Sequence, residues 1–287
     1  MRYDVTHTTR YRYTDAVLLS HHVARLSPLT LPHQTCLSQE IEIDPAPAIT
    51  RRHRDFYGNE MTFFIMEGAH HELRVTARSR VEVHRPAMPG PLADAPWESA
   101  RDHEQLPLDV IEYAFDSPAI RPTEEVAHYA RPSFTPGRPL LEAVLELVER
   151  IHADFRFDPQ ATTVATPLAD VMRLRRGVCQ DFSQLGIGCL RTMGLAARYV
   201  SGYIETLPPP GQPRLVGADA SHAWLSVYCP GAGWIDLDPT NNVVPGEMHI
   251  TLARGRDYGD VSPLRGVMLG GGEHQLSVAV DVLRLDA

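Results

Sequence analysis

Arg176-Gly177-Val178-Cys179-Gln180-Asp181-Phe182 opens the segment richest in chemistry. After Cys179, apolar or small residues recur at Phe182, Leu185, Gly186, Cys189, Leu190 and Met193, the spacing of an amphipathic helix. Cys179 therefore stands at the helix start, where unpaired N–H groups and the positive end of the helix dipole favour a thiolate. A thiol so placed is a candidate nucleophile, whereas Cys189 lies on the apolar face and reads as core. A nucleophilic thiol needs a base and an orienting group. Ser221-His222-Ala223-Trp224-Leu225-Ser226-Val227-Tyr228 reads as a strand with His222, Trp224, Ser226 and Tyr228 on one face. Gly231-Ala232-Gly233 turns the chain, and Trp234, Asp236 and Asp238 share a face of the returning strand, so either carboxylate could address His222. Pro239 stops that strand and leaves Asp238 at its end. A Cys–His–Asp set drawn from a helix N-terminus and two adjacent strands suits acyl transfer through a thioester.

These residues need a scaffold, and the pattern on either side supplies one. Residues 1–85 read as β structure, clearest at Leu73–His84, where Leu73, Val75, Ala77, Val81 and Val83 alternate with polar neighbours. Shorter runs at Leu37–Ile43 and Met61–Met66, separated by turn chemistry such as Tyr57-Gly58-Asn59, predict several short strands in a small sandwich or barrel. Pro86-Ala87-Met88-Pro89-Gly90-Pro91 holds neither ladder nor helix, and 86–99 reads as a linker. Helical spacing follows near 108–115, 123–130 and 140–152, then the helix begun at Cys179 and capped by Gly194, and strands at about 195–204, 222–229 and 234–238. Gly270-Gly271-Gly272 reads as a turn before a closing strand. The expected organisation is an N-terminal β domain over 1–85, a linker with short helices over 86–139, a catalytic core over 140–265 and a C-terminal closing strand over 266–287.

Length and composition bound the rest. A chain of 287 residues is long enough for two domains. Its 27 basic residues are all arginine and its net charge is −9, with no basic run, which excludes an ordinary nucleic-acid surface. No apolar stretch is long enough for a membrane helix, and the opening residues, which lack an apolar run, give no expectation of a secretory signal. Four scattered cysteines (Cys36, Cys179, Cys189, Cys229) form neither a disulfide framework nor a zinc ribbon. A cytoplasmic protein is expected. His21-His22 and His70-His71 are poor chelators, because neighbouring strand residues point to opposite faces. No calcium loop is present, so no metal or other cofactor is expected. Leu207-Pro208-Pro209-Pro210-Gly211-Gln212-Pro213 reads either as a stiff lip on a substrate groove or as a surface connection. Trp224 and Trp234 are expected to flank the site, chiefly as packing.

Gly177-Val178-Cys179-Gln180-Asp181-Phe182, Arg191-Thr192-Met193-Gly194-Leu195 through Gly202-Tyr203, Ser221-His222-Ala223-Trp224, and Gly233-Trp234-Ile235-Asp236-Leu237-Asp238-Pro239-Thr240 together resemble the bacterial transglutaminase-like family. Thr8-Thr9-Arg10-Tyr11-Arg12-Tyr13, Arg25-Leu26-Ser27-Pro28 and Asp55-Phe56-Tyr57-Gly58-Asn59-Glu60 resemble the β-rich N-terminal domain that accompanies it, and the segment from Gly255 to Gly266 resembles the part after the core. The resemblance implies an α+β architecture: an N-terminal β-rich domain, then a papain-like core with the Cys-bearing helix packed on an antiparallel sheet. It places the nucleophile on Cys179, the base on His222 and the aspartate on Asp238, with Asp236 as second choice. Where relatives carry a histidine shortly after the Cys-Gln-Asp-Phe run, this chain has Gln184. The implied activity is attack on peptide or amide bonds of a peptide or protein substrate, with hydrolysis favoured. The alternatives are transfer to an amine acceptor, as in a protein-glutamine acyltransferase, or a protein-binding module, in which the triad is typically broken.

Overall fold

Alternating strands at the two ends of the chain meet in one sheet. The structure, a computed structural model, describes residues 1–84, 95–104, 106–206 and 221–285. Strand β1 (Arg2–Ala24) pairs along one side with β4 (Glu60–Val83). On its other side, β12 (His274–Leu285) pairs with residues 2–13 and β11 (Leu264–Gly270) with residues 17–24. The outer edge of β4 carries β2 (Gln34–Asp44) and β3 (Ile49–Arg54), completing a six-stranded antiparallel sheet.

The expected short strands at 61–66 and 73–84 are one strand of 24 residues. Gly68, at φ +100°, and the register shifts between Arg12 and Leu19 bend the β1–β4 ribbon without ending it. Val17, Phe64 and Met66 from one side of the bend meet Tyr13, Leu73, Val75 and Ala77 from the other in a single apolar cluster. The bend therefore folds the sheet over its own core. The Pro-rich start of the proposed linker lies outside the described residues, but its end is structured. Trp97–Arg101 forms a 3₁₀ turn that buries Trp97 and Ala100, and the Trp97 indole donates to the Thr135 carbonyl at 3.0 Å.

The core is an antiparallel sheet in the order β10–β7–β8–β9, from β7 (Ala197–Ile204), β8 (Ser221–Cys229), β9 (Gly233–Leu237) and β10 (His249–Gly255). Helix α5 (Cys179–Thr192) packs on one face of it. Gly186 lies so close to Leu225 of β8 that an added Cβ would overlap that side chain. Helices α2 (Glu124–Ala130), α3 (Leu140–Asp154) and α4 (Leu168–Leu174) pack against α5, and the single-turn α1 (Leu108–Ile111) precedes them. Helix α3 turns Leu140, Ala143, Val144, Leu147, Val148 and Ile151 inward, the stripe its spacing predicts. The short parallel pair β5 (Arg156–Phe157) and β6 (Arg176–Gly177) delivers the chain to the start of α5, and α6 (Tyr258–Val261) follows β10.

Two buried amides join sheet and core. Strand β10 is an edge strand, and its outer backbone groups would otherwise be unpaired. Gln34 accepts from Thr251 N–H and donates to Thr251 O, each at 2.8 Å. Asn59 does the same for Arg254, at 2.7 and 2.8 Å. Both side chains are fully buried, so each acts as a short piece of neighbouring strand. Gln34→Met is expected to strand the Thr251 N–H away from water, while the Thr251 carbonyl keeps the Leu29 N–H at 3.1 Å, and to cost roughly 1–3 kcal/mol. Urea unfolding at constant m-value checks this, and a loss below about 1 kcal/mol would show that the amide is dispensable.

Candidate active site

The backbone enters α5 through Val178, which is extended, so the helix starts abruptly at Cys179. Asp181 fixes that start. Its Oδ2 accepts from the Val178 N–H at 2.8 Å and from the Thr162 hydroxyl at 2.6 Å. Burial raises the Asp181 carboxyl above its ordinary range against these bonds. Gly177 is needed here because a Cβ would overlap the Asp181 carboxylate. As the first helical residue, Cys179 has a backbone N–H with no acceptor inside its helix, so that N–H can serve a developing oxyanion. The side chain is half-buried at the wall of a cleft of about 260 Å³.

His222 stands opposite Gly202 in the β7–β8 register. A Cβ at Gly202 would overlap the Ile250 carbonyl and the Trp224 ring, so glycine lets three strands close up behind the histidine. The His222 Nε2 faces Asp238 Oδ2 at 2.7 Å, while the Cys179 side chain is its other hydrogen-bond partner, which leaves Nδ1 for the sulfur. Burial alone would lower the His222 pKa. The bonds and charges of Asp238 and Cys179 outweigh it and push His222 up to about 10.

Asp238 has no solvent exposure. Its Oδ2 accepts from His222, from Asn241 Nδ2 at 2.7 Å and from His249 Nε2 at 3.2 Å. Oδ1 accepts the Thr240 and Asn241 backbone N–H groups at 2.9 and 3.2 Å. Burial opposes ionisation, but the bonds from His222, His249 and Asn241 prevail and hold the carboxyl well below its ordinary range. The structure thus brings Cys179, His222 and Asp238 together. Asp236 is not with them: it lies opposite Ser226 and lines a different cavity, because Asp238 turns back through its bridge to Val243. Trp224 stays near His222, with ring centroids 6.1 Å apart, but Trp234 packs against Tyr113, Tyr228 and Arg198 away from the nucleophile. Gln184 is buried in α5, where its Oε1 faces the Tyr258 N–H at 3.4 Å. The loop 207–213 lies outside the described residues.

Sequence reasoning missed three contributions. Asn241 follows Asp-Pro-Thr closely enough to be read as a turn residue reaching back to Asp238. His249 sits across the sheet on β10, and no local signal ties it to Asp238. His7, Thr9 and Tyr11 of β1, with Leu276 and Val278 of β12, form the cleft wall facing Cys179. Among the described residues, His222, Asp238 and His249 offer ligand atoms within 4.8 Å of one another, donor types suited to a divalent transition metal. A cation there would take the lone pairs that hold His222 in place. His21 and His22 do not form such a group: His22 is buried, with Nε2 at 2.8 Å from the Ser20 hydroxyl.

The raised His222 pKa has a consequence for stability. The folded state holds a proton that the unfolded chain releases near 6.5, so this contribution is full below 6.5 and fades as pH rises toward 10. The destabilisation by His222→Gln is therefore expected to be largest at pH 6 and to shrink by pH 10, read from urea midpoints at both pH values. A penalty that grows with pH would contradict the assignment.

Residues 3–82 match the family described as the bacterial transglutaminase-like N-terminal region, and residues 127–239 match the transglutaminase-like superfamily. An uncharacterized protein of Mycobacterium tuberculosis is 43% identical over 291 residues, covering 98% of this chain and 92% of the relative. A protein-glutamine gamma-glutamyltransferase of Pseudomonas aeruginosa is 30% identical over 155 residues, covering 45% of this chain and 23% of that enzyme. Among solved structures, a Cytophaga hutchinsonii chain described as a candidate cysteine protease superposes with a TM-score of 0.77 at 19% identity, covering 100% of this chain and 92% of that one.

Proposed function

We propose that this chain, which belongs to the bacterial transglutaminase-like family, is a cysteine hydrolase of peptide or amide bonds with Cys179, His222 and Asp238 as its triad. The observation that carries this reading is the placement of one imidazole between a fully buried carboxylate, at 2.7 Å, and a thiol at a helix start on a cleft wall. An imidazole held protonated beside the sulfur favours a thiolate–imidazolium pair.

The thiolate attacks the carbonyl carbon, and the C=O electron pair moves to oxygen, facing the Cys179 N–H. Collapse breaks the C–N bond, and the leaving amine takes the proton from His222 Nδ1, leaving a thioester and a neutral imidazole. That imidazole then takes a proton from water as its oxygen attacks the thioester carbon. Collapse releases a carboxylic acid and restores thiolate and imidazolium. Throughout, the Nε2–H bond to Asp238 holds the ring in register. Hydrolysis is the favoured outcome because the half-buried Cys179 lines an open cleft, where water is the most abundant acceptor. An amine in place of water gives the acyl transfer named for the Pseudomonas relative. Substrates are peptides or proteins entering between α5 and the β1–β12 wall.

Limiting iodoacetamide at pH 6, mapped by peptide mass, tests the pair. Burial raises the thiols of Cys36, Cys189 and Cys229, the last two to about 12, so these should label slowly. Cys179 is expected to label first, and His222→Ala to remove that preference. Equal labelling of Cys179 and Cys36 would end the catalytic reading. On a fluorogenic peptide library, Asp238→Asn is expected to lower kcat/KM by about 10³–10⁴-fold. Adding a fluorescent primary amine separates the outcomes: acid products mean hydrolysis, and amine adducts in excess over acid would reassign the protein as an acyltransferase.

A further inference from the structure

The sheet of the core has a second face, away from α5, and the segment 239–248 crosses it from β9 to β10. Beneath that crossing lies a cavity of about 330 Å³, larger than the catalytic cleft and sharing no lining residue with it. We propose that this cavity binds a small carboxylate carrying an apolar body.

Three of its lining residues, Arg198, Arg254 and Trp224, carry unsatisfied donors, and Ser226 adds a fourth beside them in the sheet. Arg198 of β7 is 7% exposed, and its Nε has no hydrogen-bond partner. The Nε of Arg254 on β10, the indole N–H of fully buried Trp224 and the hydroxyl of fully buried Ser226 are likewise unpartnered among the described residues. The β7–β8–β9 register places Arg198, Ser226 and Asp236 side by side, and Arg254 lies opposite Val200, two residues on from Arg198. Buried donors left unpaired are costly, Arg198, Arg254 and Trp224 bring three of them to the cavity wall, and an acceptor-rich ligand there removes that cost. Neither guanidinium has a carboxylate within ion-pair distance among the described residues. Trp234 covers one face of Arg198 at 4.1 Å but leaves the edge of the fork free.

Charge selects the ligand. Burial pulls Arg198 down to about 9, with the Arg254 charge adding to the effect, and burial lowers Arg254 as well. Both remain cations at neutral pH, and Asp236 offsets one of them. His33, at the rim, is lowered by burial and stays neutral. The cavity thus carries about one net positive charge, which suits a monoanion, and guanidinium forks match a carboxylate edge on. Trp224, Trp234, Ile235, Val244 and Pro245 form the apolar remainder of the wall. The size admits a small acid, and the crossing segment covers it. His249 lines the cavity and also donates to Asp238, so the site lies directly behind the triad carboxylate without reaching the nucleophile.

The test uses 3-phenylpropionate, its amide and inorganic phosphate on the full chain, read by calorimetry and tryptophan emission. Saturable binding of the acid is expected, with no binding of the amide. Arg198→Gln and Arg254→Gln are expected to weaken binding by at least about tenfold. Asp236→Asn is expected to tighten it severalfold, a gain that misfolding cannot imitate. Gly246→Phe, at a lining position where an added Cβ meets nothing within 4 Å, is expected to fill the mouth of the site and weaken binding. Cys179→Ala is expected to leave binding unchanged, which separates this site from the catalytic reading. No saturable binding at millimolar acid, equal binding of phosphate, or affinity indifferent to Arg198 and Asp236 would overturn the proposal. Tighter binding of Gly-Gly-Phe acid than of the small acid would overturn its assignment to a small ligand.

Discussion

A carboxylate with no solvent exposure sets the terms for the centre of this molecule. Removing Asp238 from water costs several kcal/mol unless hydrogen bonds replace the lost hydration. Five donors do so: two imidazoles, one amide side chain and two backbone N–H groups. Supplying them requires β9 to end just before Asp238, the next three residues to turn back, and the chain to cross the sheet so that His249 arrives from β10. His222 is thus held from β8 by a group whose own position depends on the opposite edge of the sheet. The same crossing roofs the second cavity, so the two sites share a structural cause.

A second constraint comes from the free edge of β10. Gln34 and Asn59 satisfy it from the long-stranded sheet, and other contacts reinforce the contact between the two parts. His7 Nδ1 lies 2.9 Å from the Tyr203 hydroxyl, and the Tyr3 hydroxyl donates to Glu205 at 3.1 Å. These bonds press β1 against the core at the place where His7, Thr9 and Tyr11 form the cleft wall. The N-terminal sheet is therefore part of the groove and of the core's edge.

Much of the site was legible because it is written locally. The apolar spacing after Cys179 marks a helix start, period-2 alternation puts His222 on one strand face, and Pro239 marks the strand end at Asp238. Asp236 and Asp238 share a strand face, so alternation could not separate them; the backbone turn at Asp238 does. His249 was illegible because its link to Asp238 spans the width of a sheet whose strand order no periodicity encodes. The length of β1 and β4 was hidden for another reason. Bulges and Gly68 interrupt alternation as a turn would, although the ladder continues through them. Asn59 reads as a turn residue and Gln34 carries no local signal, since their partners lie on a strand that follows them by about two hundred residues.

The pairing of β1 with β12 orders events in time as well as in space. Arg2 lies opposite Leu285, and Tyr11 opposite Leu276, so the first strand made waits for the last one before its ladder closes. During synthesis, Cys179, His222 and Asp238 all leave the ribosome before residues 274–285 complete the cleft beside them. Contacts of such long sequence separation fold slowly. Cys179 therefore exists on the growing chain before the wall that faces it across the cleft.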